Sequence, residues 1–330
     1  MDILRAAIDS GIKYFDTAGV YGNSEEILGK FDIGKYGVNV ISKLSAVEND
    51  DEQFVTDKLN KTLRRLKLKS IYGYMLHRAE DFYKVSVLKS LSRLKERGLV
   101  KNIGVSVYEP EDALSAVKNK LVSIVQIPYN VLDQRLDETD FFETAKRNGV
   151  KVFARSAFLQ GLLLMDSESL PKNLKVAERH IKKFKSIAKT FNYSARQAAL
   201  LYSYCHPGID CVVFGVDTVK QLKENVGITN QANEFAKCYG SLRGAFRDDA
   251  EVTYIWTQDR KISEHVARAS RIENIVDDYR EMIGKVDGIL LARDDAENHL
   301  EMSRCFLEAG TMIYIDKPLA FDLKTANKIL

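Results

Sequence analysis

The alternation of two residue patterns constrains this chain more than any other feature. Between Ile12 and Val226, short apolar runs alternate with longer stretches whose apolar residues recur at helical spacing. The pattern predicts strands over residues 12–15, 37–42, 70–76, 102–106, 122–127, 151–154 and 211–214. It predicts helices over 1–10, from 24, over 50–66 and 84–97, from 110, and over 138–147, 177–188, 195–204 and 219–226. Leu4, Ala7 and Ile8 share one face of the first helix, and Val87, Leu88, Leu91 and Leu94 share one face of the fourth. Gly98 stops that helix, and Pro110 opens the next, where its missing N–H costs nothing. Strands separated by helices pair in parallel. Seven such units predict an α/β (β/α)8 barrel that is one strand short. A doubly wound open sheet is the competing architecture, but no glycine-rich phosphate loop follows any of these strands.

In a barrel, functional residues sit at the carboxyl ends of the strands. Here the ends carry Asp16, Lys43, His77, Ser106, Gln126 followed by Asn130, and the pair Arg155 and Ser156, with Tyr21 five residues beyond Asp16. Asp, Lys and His at three successive ends point to one convergent site. A free tyrosine, with a pKa of about 10, is a poor proton donor near neutrality. A lysine ammonium beside it is expected to lower that pKa, an aspartate to hold the lysine, and a histidine to orient a substrate oxygen. No nucleophile–base pair and no metal-ligand cluster accompanies them. A reaction that needs an acid at oxygen but no nucleophile is hydride reduction of a carbonyl.

Composition narrows the partners. Lys and Arg number 49 against 46 Asp and Glu, a net charge of +3, which gives no reason to expect a nucleic acid or a membrane surface. No apolar run approaches the roughly 18 residues of a membrane span. The first residues lack a signal-peptide pattern, so a cytoplasmic protein is expected. Cys205, Cys211, Cys238 and Cys305 have no zinc or disulfide spacing. His180 and His206, in or beside helices, read as surface residues, as does the basic turn from Arg64 to Lys69. Trp256 reads as core. Oligomeric state is not legible.

The stretch from Gly11 to Glu25, with Asp16 and Tyr21, resembles the signature of the aldo-keto reductase family. Ile41 to Leu44, Met75 to Arg78, Ile103 to Ser106, Val125 to Asn130, Phe153 to Leu163 and Gly215 to Asn225 resemble its further motifs in order, so the likeness spans about residues 1–230. The resemblance implies a TIM barrel using NADP(H), with Tyr21 as acid, Asp16 and Lys43 tuning it, and His77 orienting a small-molecule carbonyl. It places Ser106 and Gln126 at the nicotinamide carboxamide, and Gly215, Gln221, Glu224 and Asn225 near the adenine end. Arg155, followed by Ser156, stands where many members stack an aromatic ring on the nicotinamide, and Val107 where many have Asn. Asp217 and Thr218 lie where a basic residue often meets the 2′-phosphate, so the cofactor expected is NADP(H) or NAD(H).

After Asn225 the pattern changes, with a tail helix and linker expected over Gln231 to Phe246. Predicted strands at 252–256, 271–275, 286–291 and 312–315 alternate with helical segments. Val286 to Ala292, His299, and Ile315 to Leu319 resemble the nucleotide-binding domain of the Gfo/Idh/MocA oxidoreductases. The organisation expected is therefore a barrel over 1–235 and a partial Rossmann-like unit over 236–330. Asp259, after a strand, is a candidate ribose ligand, and the resemblance places Lys317 at a sugar site. No phosphate-loop glycines precede Val252. Two further readings stay open: a reductase-like binding or regulatory protein, and a fusion of two oxidoreductase pieces with low turnover.

Overall fold

A computed structural model of the chain describes residues 1–47, 51–245, 252–270, 272–292, 296–315, 320 and 322–329. They form two compact units, Met1–Arg247 and Asp248–Leu330. In the first, seven parallel strands pair strictly in chain order. They are β1 (Tyr14–Asp16), β2 (Asn39–Leu44), β3 (Ile71–Leu76), β4 (Val100–Ser106), β5 (Val122–Pro128), β6 (Lys151–Arg155) and β7 (Cys211–Val212). The helices are α1 (Asp2–Asp9), α2 (Ser24–Lys30), α3 (Glu52–Leu66), α4 (Val85–Glu96), α5 (Pro110–Lys118), α6 (Phe141–Arg147), α7 (Glu178–Thr190), α8 (Ala195–Tyr204), α9 (Val219–Thr229) and α10 (Ala236–Ala245). The sheet is TIM-barrel-like with one strand fewer than eight. Its outer strands β1 and β7 are not paired with each other, while α1 and α9 pack together.

Strand alternation divides the core into two layers. One set of residues, including Val40, Leu44, Tyr74, Leu76, Val105 and Val125, is buried in the large cluster shared with the helices. The alternate set, Ile41, Met75, Ile124 and Phe153, packs in a separate interior cluster with Tyr14, Tyr72 and Cys211. Gly104 belongs to that interior: a Cβ there would stand 2.7 Å from the Ile124 carbonyl and 2.9 Å from the Met75 side chain. Each fully buried aliphatic side chain contributes about 1.5–3 kcal/mol through apolar burial.

Some elements differ from expectation. The last strand is shorter, Cys211–Val212, and the first starts two residues later, at Tyr14. The first unit runs past residue 235, because α10 buries Cys238 and Leu242 in the barrel's core cluster. His206 is buried rather than exposed: its Nε2 lies 2.9 Å from Asp137 Oδ1, and its Nδ1 accepts from the Gly208 amide. Nδ1 as acceptor leaves Nε2 as the donor, which satisfies the buried carboxylate. Burial opposes ionisation of Asp137, but the bonds from His206 and Tyr129, with the Arg243 charge, hold its carboxyl below the usual range. The basic turn is only partly solvated, since Arg65 pairs with Glu25 and Glu26.

Helix α2 carries the end of the β1 loop, and its seat against α3 depends on Gly29. A Cβ at Gly29 would stand 2.0 Å from the Arg65 carbonyl oxygen, which is backbone and cannot rotate aside. Gly29→Ala is therefore expected to destabilise the first unit by about 1–3 kcal/mol. Urea denaturation checks this, and an unchanged midpoint would show that the two helices separate freely.

The second unit contains β8 (Tyr254–Ile255), α11 (Arg260–Ser270), β9 (Asn274–Ile275), β10 (Gly288–Leu291), α12 (His299–Glu308), β11 (Met312–Ile315) and α13 (Leu323–Ile329). Among the described residues β8 pairs with β9 and β10 with β11, both parallel, as two separate pairs. Val276, Met282 and Phe306 form its core. Trp256 lies at the edge of that core, half-buried, and donates its indole N–H to the Asp277 carbonyl. Among the described residues no helix is long and apolar enough to cross a membrane.

Candidate active site

The interior layer determines where the polar strand ends go. Asp16 follows Tyr14 by two residues, Lys43 follows Ile41, His77 follows Met75, Ser106 follows Gly104, Gln126 follows Ile124 and Arg155 follows Phe153. A step of two keeps a strand residue on the same face. The same alternation that packs the interior therefore brings six polar residues to its carboxyl rim.

Lys43 is the centre of the group. Its side chain is 1% exposed, and Nζ donates to Asp16 Oδ2 at 2.5 Å and to the Thr17 carbonyl at 3.1 Å. Gln126 donates from Nε2 to the other Asp16 oxygen at 3.1 Å. The Lys43 ammonium lies 5.1 Å from the Tyr21 ring centroid. The Tyr21 and His77 rings meet edge to face at 5.7 Å. Tyr21 is 47% exposed, so its hydroxyl can be reached by a substrate.

A tight turn delivers Tyr21. Its amide donates to the Ala18 carbonyl, its carbonyl accepts from the Ser24 amide, and Gly22 between them adopts φ +56°, which favours glycine. Glu25 anchors the turn from behind. Its buried carboxylate accepts from Ser42 Oγ at 2.6 Å, Thr62 Oγ1 at 3.0 Å and Arg65 Nη1 at 3.3 Å. The sequence displays Glu25 inside the signature but gives no sign of this role, because its partners lie on two other elements.

The electrostatics correct one expectation. Burial raises the Tyr21 pKa, Asp16 raises it further, and Arg155 opposes them. Any lowering by the lysine is outweighed in this state, because burial and Asp16 set the net direction. Burial also lowers the Lys43 pKa against the opposing pull of Asp16. Burial, then the Lys43 charge, lower the His77 pKa, so its imidazole is neutral at pH 7.

The remaining candidates divide. Ser106 and Gln126 sit side by side in register on β4 and β5, both buried, although Gln126 is engaged with Asp16. Asn130 is buried, and its side-chain oxygen holds the Leu132 amide, so it shapes the turn after β5. Arg155 donates to the Val107 carbonyl at 3.1 Å and to Ser156 Oγ at 3.4 Å, and its guanidinium lies 4.0 Å from the Tyr108 ring centroid. The sequence reading did not single out Tyr108; its only signal is an aromatic residue just beyond the β4 end. At the start of α9, Gln221 accepts from the Asp217 amide and Glu224 pairs with Arg196. Among the described residues, buried Asn225 has no partner for its side-chain oxygen, and Gly215 faces open space. In the second unit Asp259 is exposed, and its carboxylate accepts from the Lys261 amide at the start of α11. Lys317 lies outside the described residues.

Known proteins resemble this chain in sequence and in fold. Residues 1–238 match the Aldo/keto reductase family. Residues 226–330 match the Oxidoreductase family, NAD-binding Rossmann fold. The uncharacterized oxidoreductase YqkF of Bacillus subtilis is 25% identical over 255 residues, which is 70% of this chain and 82% of that protein. L-glyceraldehyde 3-phosphate reductase of Escherichia coli K12 is 25% identical over 269 residues, covering 69% of this chain and 78% of its own. The holo form of an aldo-keto reductase from Bacillus halodurans superposes with a TM-score of 0.62 at 22% identity, covering 73% of this chain and 86% of that one. An aldo/keto reductase from Klebsiella pneumoniae, solved in complex with NADP and acetate, gives a TM-score of 0.59 at 20% identity over 73% and 84%. These structures share the fold, and the family match extends over most of the chain, including every strand end described above. The chain belongs to the aldo/keto reductase family.

Proposed function

We propose that the first unit reduces the carbonyl of a small aldehyde or ketone to an alcohol with NADPH or NADH, and that Tyr21 supplies the proton. The observation that carries this reading is the contact of an accessible Tyr21 with both His77 and a Lys43 fixed by Asp16. A reduced nicotinamide held beside Ser106 and Gln126 would supply a hydride to the carbonyl carbon. The negative charge left on the carbonyl oxygen would take the Tyr21 phenolic proton. Lys43 stabilises the phenolate that remains until water reprotonates it. Neutral His77 donates a hydrogen bond to the carbonyl oxygen and so orients it, without competing as the acid.

The residues present fit a dinucleotide. The partnerless oxygen of buried Asn225 can accept from an adenine amine, and the space beside Gly215 is open. Ser106 and Gln126 can meet the carboxamide, which requires Gln126 to share its amide with Asp16. Asp217 disfavours a 2′-phosphate by charge, which keeps NADH beside NADPH. Fluorescence titration of the full chain with each reduced cofactor tests the proposal. Saturable binding of at least one is expected, with Asn225→Leu weakening it about tenfold through one lost hydrogen bond. Binding of neither cofactor to the folded chain overturns the reading.

A further inference from the structure

We propose that a cleft on the helix side of the sheet, between β2, β3 and α3, binds a phosphate group. The inference stands apart from the reduction reading, and its test uses no aldehyde. The cleft has a volume of about 90 Å³, room for several waters and so for one tetrahedral oxyanion. Buried Tyr74 and Thr62 line it. Tyr74 belongs to the core shared with the helices, so the cleft lies outside the interior layer that leads to the rim. Gly19 and Ser45, from the loops that follow β1 and β2, line it as well. Lys58, Lys61 and Arg65 complete it from α3. Their spacing of three and then four residues puts all three on one face of that helix.

The charge around the cleft is one-sided. No carboxylate lines it, and Lys43, which borders it, is committed to Asp16. Arg65 pairs with Glu25 at 3.3 Å and with the more exposed Glu26 at 3.6 Å, which fixes its guanidinium at the cleft and leaves further N–H donors over. Among the described residues Lys58 and Lys61 form no ion pair; the Lys58 ammonium rests 5.0 Å from the Phe54 ring centroid, a neutral partner. Even with Asp16, Glu25 and Glu26 all counted, the four cations exceed the carboxylates by one. Two compact ammonium groups, one planar fork and the Ser45 hydroxyl converge there. A carboxylate has two oxygens to offer such a set, whereas a phosphate offers three or four and a second charge. Partial burial strengthens the attraction over its value in water. Free phosphate and a phosphomonoester share this chemistry, and the test separates them.

The experiment titrates the full chain with inorganic phosphate and with glycerol 3-phosphate by calorimetry, in chloride buffer, with and without excess NADH. Saturable binding of at least one is expected, and the tighter of the two identifies the source. Lys58→Gln with Lys61→Gln is expected to weaken it about 10- to 100-fold, and Lys58→Arg with Lys61→Arg to restore most of the loss. Both lysines reach solvent, so these chains should keep the wild-type urea midpoint. Arg64→Gln with Lys69→Gln, which removes two exposed cations outside the cleft, is expected to bind as the wild type does. Absence of saturable binding to the folded wild type overturns the proposal. Equal losses in the two glutamine pairs assign the effect to general charge and overturn it too. Displacement of the phosphate by NADH, whose only phosphate is a diphosphate, places the anion in the cofactor site and likewise overturns it.

Discussion

Tyr21→Phe is expected to lower kcat/KM for carbonyl reduction by about 100- to 10,000-fold, the range of a lost general acid. The change removes one partly exposed hydroxyl and leaves the ring against His77 and Lys43. Stability should therefore change by less than about 1 kcal/mol, and NADPH or NADH should still bind. The pH profile carries a second check. Reduction needs the protonated phenol, and burial with Asp16 raises the Tyr21 pKa above its ordinary value of 10.0. The tyrosine should therefore impose no alkaline loss of kcat/KM below pH 10, and a fall through neutrality would have another source. A Tyr21→Phe protein with wild-type kcat/KM would show that the proton comes from elsewhere.

The second large effect is expected at Lys43. The ion pair is 1% exposed at Lys43 and 14% exposed at Asp16. Removing one partner of such a pair leaves an uncompensated charge and costs about 3–5 kcal/mol. Lys43→Met is expected near the lower end, because Gln126 still donates to Asp16 and that carboxylate keeps some solvent. It should also lose the charge that stabilises the tyrosinate, so activity and stability fall together. Asp16→Asn in the Lys43→Met background removes the orphaned charge; stability should recover in part and activity should not. Urea denaturation and initial rates on the three proteins check this. A single variant as stable as wild type would show that solvent, not Lys43, satisfies Asp16.

The fold and the rim were legible for one reason. The period-two pattern that buries Ile41, Met75, Ile124 and Phe153 also fixes where Lys43, His77, Gln126 and Arg155 emerge. Interactions formed across distant elements were not legible. His206 read as a surface histidine because its partner Asp137 lies 69 positions away. Arg65 read as a solvated cation because its carboxylate, Glu25, lies 40 positions away. The Tyr21 pKa was expected to fall, since a motif shows which charges are present but not how far the ring is buried or that Asp16 lies close enough to raise it. In the second unit the strands were located near their places, but not their pairing as β8 with β9 and β10 with β11. Pairing depends on tertiary contacts that strand periodicity does not encode.

The most direct test of the account mixes the full chain with a reduced nicotinamide cofactor and an aldehyde, and quantifies both products. The account predicts one alcohol formed per cofactor oxidised, with both products lost together in Tyr21→Phe. A folded wild-type chain that binds the cofactor yet oxidises none of it with carboxylated or neutral aldehydes would contradict it.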